Sequence, residues 1–188
     1  MDIRVIRSRR KTLAVQIKAG EVTVRAPLRA TEGEIRRFLE AQRGWIETHL
    51  AESLARERAK QQVPRLTAAE IRELKKQARS VIPERATYYA KLIGTDYGKI
   101  SIRCQKTRWG SCSAKGDLSF NCLLMLTPPG VIDSIVVHEL CHRKHMNHSP
   151  RFYAEVLRVY PEYRTWQKWL KEHGETIMAM TAEAPEKD

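Results

Sequence analysis

The chain has 188 residues, 42% of them hydrophobic and 30% charged, with 34 Lys+Arg against 22 Asp+Glu for a formal charge of +12. This is the composition of a globular protein with room for one ordinary domain or two small ones; the charge favours an anionic partner and says nothing about fold. No apolar run reaches the ~18–20 residues of a membrane span, so no membrane association is expected. Met1 to Lys11 lacks the apolar block of a secretory signal. The four cysteines, Cys104, Cys112, Cys122 and Cys141, show no C-x-x-C spacing, so reduced thiols in a cytoplasmic protein are expected.

Ile3, Val5 and Ile6 begin a strand. Leu13, Val15 and Ile17 alternate with polar or small residues, Ala19-Gly20 turns the chain, and Val22, Val24 and Ala26 alternate again up to Pro27. Period-2 patterning around a glycine turn predicts a β-hairpin. Met1 to Ala30 holds eight Lys/Arg and two Asp/Glu. The basic face is either charge that protects a sheet edge or a surface for nucleic acid. Thr31 with Glu34 reads as a capping box opening a helix whose apolar stripe runs from Ile35 through Phe38, Leu39, Trp45 and Ile46 to Leu50. The charged stretch from Glu52 to Arg65 is solvated helix or connector. Thr67 with Glu70 opens a second helix, which continues past Pro83 to Gly94.

Ile100 and Ile102 begin another strand, Arg108 to Cys112 make an irregular bend, and Leu118, Phe120, Cys122, Leu124 and Leu126 read as an alternating strand. Thr127-Pro128-Pro129-Gly130 starts an amphipathic helix expected to run to about Met146-Asn147. Ser149-Pro150 caps the next helix, which Pro161 ends, and Trp166, Trp169 and Leu170 mark a last helix up to Gly174. The fold class is α+β. Residues 1–95 form an N-terminal hairpin plus helices. Residues 96–174 form a catalytic core with a small antiparallel sheet, an active-site helix and C-terminal helices. Residues 175–188 form an acidic, disordered tail.

The chemistry is concentrated in His138-Glu139-Leu140-Cys141-His142. Residues four apart share a helix face, so two imidazoles can approach one metal from the same side, and neutral imidazole suits zinc. Glu139, about 100° around the helix, can reach a water on the metal without displacing a ligand. The bland alternative is a helix with incidental surface histidines. A third ligand is needed. His145 would lie on the same helical stripe, where three ligands in a row close a tetrahedron poorly. His148, past the helix end, can come in from another direction and is preferred.

Together, Arg108-Trp109-Gly110-Ser111-Cys112, the H-E-L-C-H element and Asn147-His148-Ser149-Pro150-Arg151-Phe152 resemble the YgjP-like metallopeptidase family, compact zincins similar around the site to the SprT and WLM proteases. The resemblance extends to the basic hairpin and the two helices after it; the acidic tail lies outside it. It implies a zincin-like core holding one Zn(2+) per chain, with His138, His142 and His148 as ligands and Glu139 as general base.

Other residues near the motif have plainer readings beside functional ones. Arg108, Trp109, Asn121, Arg151 and Tyr153 are candidate substrate contacts, Arg151 and Tyr153 also as oxyanion donors; Asn121 could bond substrate backbone at a sheet edge. Trp109-Gly110 reads more simply as packing beside a backbone position that only glycine tolerates, and Cys141 as a buried thiol. Arg103, Lys106, Arg108, Arg143, Lys144 and Arg151 form a solvated basic face or a phosphate-binding cluster. The expected function is zinc-dependent hydrolysis of peptide bonds. The alternatives are a pyrophosphatase acting on a nucleoside triphosphate such as UTP and a protease brought to nucleic acid by the basic hairpin.

Overall fold

The computed structural model describes residues 3–181. The chain divides into two compact units between Val63 and Pro64. In the first, β1 (Ile3–Ser8), β2 (Ala14–Lys18) and β3 (Glu21–Pro27) form a sheet in the order β1-β3-β2. β2 and β3 are the expected hairpin, with Val15 opposite Val24. Ala19 and Gly20 both take positive φ, 51° and 78°, as a tight two-residue hairpin turn requires. β1 stands outside the hairpin and runs parallel to β3, with Val5 beside Val24. Val24 and Ala26 pack on Ile35 of α1 (Glu32–Ala41), which opens on the Thr31–Glu34 capping box. The single helix expected here is two: Gln42 leaves helical backbone at φ −101°, ψ 8°, and α2 (Arg43–Gln62) follows. The charged stretch is therefore helix as far as Gln62.

The second unit begins with α3 (Ala68–Ile93), capped by Thr67 and Glu70, continuous through Pro83 and closed by Gly94 at φ 70°. Its buried face, with Ala78, Ile82 and Ala86, shares one core with Phe120, Val136 and Leu140. The break between units thus falls before this helix and not after residue 95. An apolar stripe announces a buried face without naming what covers it.

β4 (Ile100–Arg103), β5 (Gly110–Cys112) and β6 (Leu118–Asn121) form a second sheet in the order β4-β6-β5. β4 runs parallel to β6 and β5 antiparallel to it, so this sheet is mixed and not antiparallel as expected. The strand predicted to reach Leu126 stops at Asn121, and a short 3-10 helix spans Cys122–Leu126. Asn121 causes the switch, because its Oδ1 accepts a hydrogen bond from the Leu123 amide at 3.2 Å. Cys122, Leu123 and Leu124 are all fully buried, so the apolar run reflects burial on every side.

α4 (Pro129–Cys141) lies at the centre of the core. Val131 to Val137 are buried without interruption, as are Glu139, Leu140 and Cys141; the helix is not amphipathic, and it ends earlier than the sequence suggested. α5 (Pro150–Val159) starts at its Ser149 cap, and α6 (Tyr163–Ala179) runs on past Gly174. The first residues of the expected tail are therefore helical; 182–188 lie outside the described residues. No described helix is long and apolar enough to cross a membrane.

Candidate metal centre

His138 and His142 occupy the last turn of α4 and its C-terminal cap. The chain then turns tightly, with the His145 amide donating to the Cys141 carbonyl at 3.0 Å, and returns through His148 into α5. His138 Nε2 lies 3.2 Å from His142 Nε2 and 3.0 Å from His148 Nε2. The candidate ligand atoms of the three residues all lie within 4.8 Å of one another. Nitrogens sharing a tetrahedral zinc at ~2.0–2.1 Å would stand about 3.3 Å apart.

The outer nitrogens show which atoms are available. His142 Nδ1 lies 3.1 Å from the His145 carbonyl oxygen. A carbonyl only accepts, so the hydrogen is on Nδ1 and Nε2 presents a lone pair. His138 Nδ1 meets the Tyr163 hydroxyl at 2.8 Å. Lone pairs this close repel unless a proton or a metal cation lies among them. A set of three imidazoles, two of them held from outside through Nδ1, fits a zinc ion. His145 thus enters the site through its backbone, and its ring is not in the cluster, because the helix that would have aligned it has already ended.

Burial pushes His138 down to about 3, with His142 and His148 adding to the effect. His142 is lowered as well, again mainly by burial. Both rings stay neutral, as metal ligands must. Burial lifts the Glu139 carboxyl to about 7. This side chain rests against Gly110 of β5, where an added Cβ would stand 2.7 Å from Glu139 Cγ and Oε1. Gly110 is small because the carboxylate needs the space.

The remaining sequence candidates separate clearly. Asn121 is completely buried; its Nδ2 donates to the carbonyls of Gln105 at 2.7 Å and Arg108 at 2.9 Å. It cannot meet a substrate and instead fixes the segment leading into Trp109-Gly110. Trp109 is half-buried and packs against Gly174 of α6. Arg108, Arg151 and Tyr153 are exposed, and the Tyr153 ring centroid lies 6.2 Å from that of His148. Arg143 pairs with Asp96 at 3.1 Å and Lys144 with Glu155 at 2.9 Å, which removes both from a free phosphate-binding cluster. Cys141 is a buried thiol pushed up to about 12, chiefly by burial. The sequence reading missed Tyr163 and the His145 carbonyl. The one available signal was the general need of a ligating histidine for a partner on its second nitrogen.

An H-E-x-x-H helix with a third histidine beyond its end defines a zincin-like metallohydrolase arrangement. The family model for the YgjP-like metallopeptidase domain matches residues 11–71 and 55–173, and the chain belongs to this family. Among solved structures, the metallopeptidase zymogen abylysin of Pyrococcus abyssi is 22% identical, with a TM-score of 0.45 over 49% of this chain and 94% of that one. The zymogen jannalysin of Methanocaldococcus jannaschii is also 22% identical, with a TM-score of 0.43 over 48% of this chain and 94% of that one. No curated protein matches this chain.

Proposed function

We propose that this protein is a zinc-dependent peptidase in which His138, His142 and His148 hold one zinc ion and Glu139 is the general base. The observation that carries this reading is the convergence of three Nε2 atoms beside a buried carboxylate. A zinc ion held there supplies Lewis acidity, which acidifies a water and polarises a carbonyl. Glu139 takes the proton of the attacking water and passes it to the leaving amine. Tyr163 and the His145 carbonyl keep two of the imidazoles turned with their lone pairs inward.

Peptide is favoured over nucleotide by two features. β5, whose Gly110 touches Glu139, is an edge strand, and a free edge can take the main chain of an extended substrate. A triphosphate needs several cations at the site, whereas Arg143 and Lys144 are engaged in ion pairs. The test compares the wild-type chain with Glu139→Gln, whose amide cannot take a proton. The variant is expected to retain zinc and to cleave an unfolded protein such as casein ~10²–10⁴-fold more slowly. Nucleotide turnover that depends on Glu139, with no cleavage of any unfolded protein, would contradict the proposal.

A further inference from the structure

β4 and β6 lie side by side in parallel, with Arg103 next to Asn121. The residue just past the end of each is a cysteine, Cys104 after β4 and Cys122 at the start of the 3-10 helix after β6. Paired strands run ~4.7–4.9 Å apart, so the last pair, Arg103 and Asn121, delivers the two cysteines that follow it to the same end of the sheet; a disulfide spans Cα separations of ~4.4–6.8 Å. The two thiols are free, and each acts on the ionisation of the other. Cys104 is partly exposed and Cys122 completely buried. The other two thiols have different surroundings: Cys112 donates to the Ser113 carbonyl at 3.4 Å, and Cys141 is buried in α4.

We propose that Cys104 and Cys122 form a reversible oxidation site, a dithiol that a hydroperoxide converts to a disulfide within the folded chain. The Cys104 thiolate attacks the peroxide oxygen, the O–O bond breaks, and the leaving oxygen departs with a proton as water or alcohol. Cys104 is then a sulfenic acid. Cys122 displaces its hydroxyl, the S–S bond forms, and a water leaves. Two electrons and two protons pass from the thiols to the peroxide, and an external dithiol reverses the change. The order follows from access, because Cys104 alone of the pair reaches solvent. The neighbouring Cys122 thiol, aided by the positive charge of Lys75, holds Cys104 below the usual thiol range, which makes it the better nucleophile.

The disulfide would fasten the two ends of the segment that carries Trp109, Gly110 and β5. No candidate metal ligand lies in that segment, so the metal is expected to stay. The metal-loaded full-length chain is treated with stoichiometric hydrogen peroxide, its remaining thiols are alkylated in denaturant, and the four cysteines are mapped by mass spectrometry. The expected product has lost two hydrogens, links Cys104 to Cys122, keeps its metal and reverts with dithiothreitol. Cys104→Ser should abolish the link, whereas Cys112→Ser should leave it intact. Linkage of Cys104 to Cys112, sulfinic acid at Cys104 with Cys122 still alkylated, or four alkylated thiols after treatment would each overturn the proposal. The readout is mass, so it is independent of whether the protein proves to be a peptidase.

Discussion

At Gly110 one missing carbon decides where Glu139 can stand. A Cβ there would meet the carboxylate side chain at 2.7 Å, and Glu139 is only 6% exposed, so it has little room to retreat. Gly110→Ala is therefore expected to fold and to keep its metal while losing hydrolysis on the order of 10²-fold, the cost of moving a reacting group by about 1 Å. Kinetics beside metal content and a melting curve checks this; undiminished activity would mean that Glu139 has a second productive position. At this scale the sequence was most legible for groups that share one helix or the turn after it. His138, Glu139 and His142 are fixed by helical spacing, and His148 by the need for a ligand from another direction. Tyr163 is 25 residues from its partner His138, and the His145 carbonyl carries no side-chain signature. Neither can be read from spacing. Asn121 misled because an asparagine in a strand looks the same whether it faces solvent or, as here, ties down the loop between β4 and β5.

The elements around the site are joined by Glu155 of α5. Its carboxylate accepts from Arg158 Nε at 2.8 Å and from Lys144 Nζ at 2.9 Å, and Lys144 also donates to the Ile93 carbonyl at the end of α3. This network braces the turn between α4 and α5 that delivers His148. The hydrogen bond from Arg158, with that from Lys144, pulls the Glu155 carboxyl from 4.5 down to about 2. The unfolded chain therefore binds this proton at higher pH than the folded one does. The resulting stability is fully present above pH 4.5 and is lost as pH falls toward 2. Glu155→Gln should cost ~1 kcal/mol near neutrality, discounted because Arg158 faces water, and the difference from wild type should vanish toward pH 2. Denaturant titrations across that range measure it; a gap that persists in acid would exclude the ionised carboxylate as its source. The element boundaries were less legible than the elements. Capping boxes at Thr31 and Thr67 and the Ser149 cap marked helix starts correctly, since local hydrogen bonds set them. The end of α4 and the stop of β6 at Asn121 depend on tertiary packing, and the sequence carries that weakly.

In the whole molecule, every group placed at the candidate centre comes from the unit that begins at Pro64. The first unit supplies a basic sheet and two helices, and the family match spans both. The overall charge of +12 does not distinguish peptide from nucleotide chemistry; the arrangement of three histidines around one point, with the outer nitrogens of His138 and His142 held, gives the specific account. Metal analysis of the purified chain and two variants tests that account most directly. The wild type is expected to hold about one zinc per chain. His145→Ala should hold the same amount, because it keeps the backbone carbonyl that orients His142. His148→Ala should lose most of its metal. Equal zinc in the His148→Ala chain and the wild type would contradict the three-histidine centre.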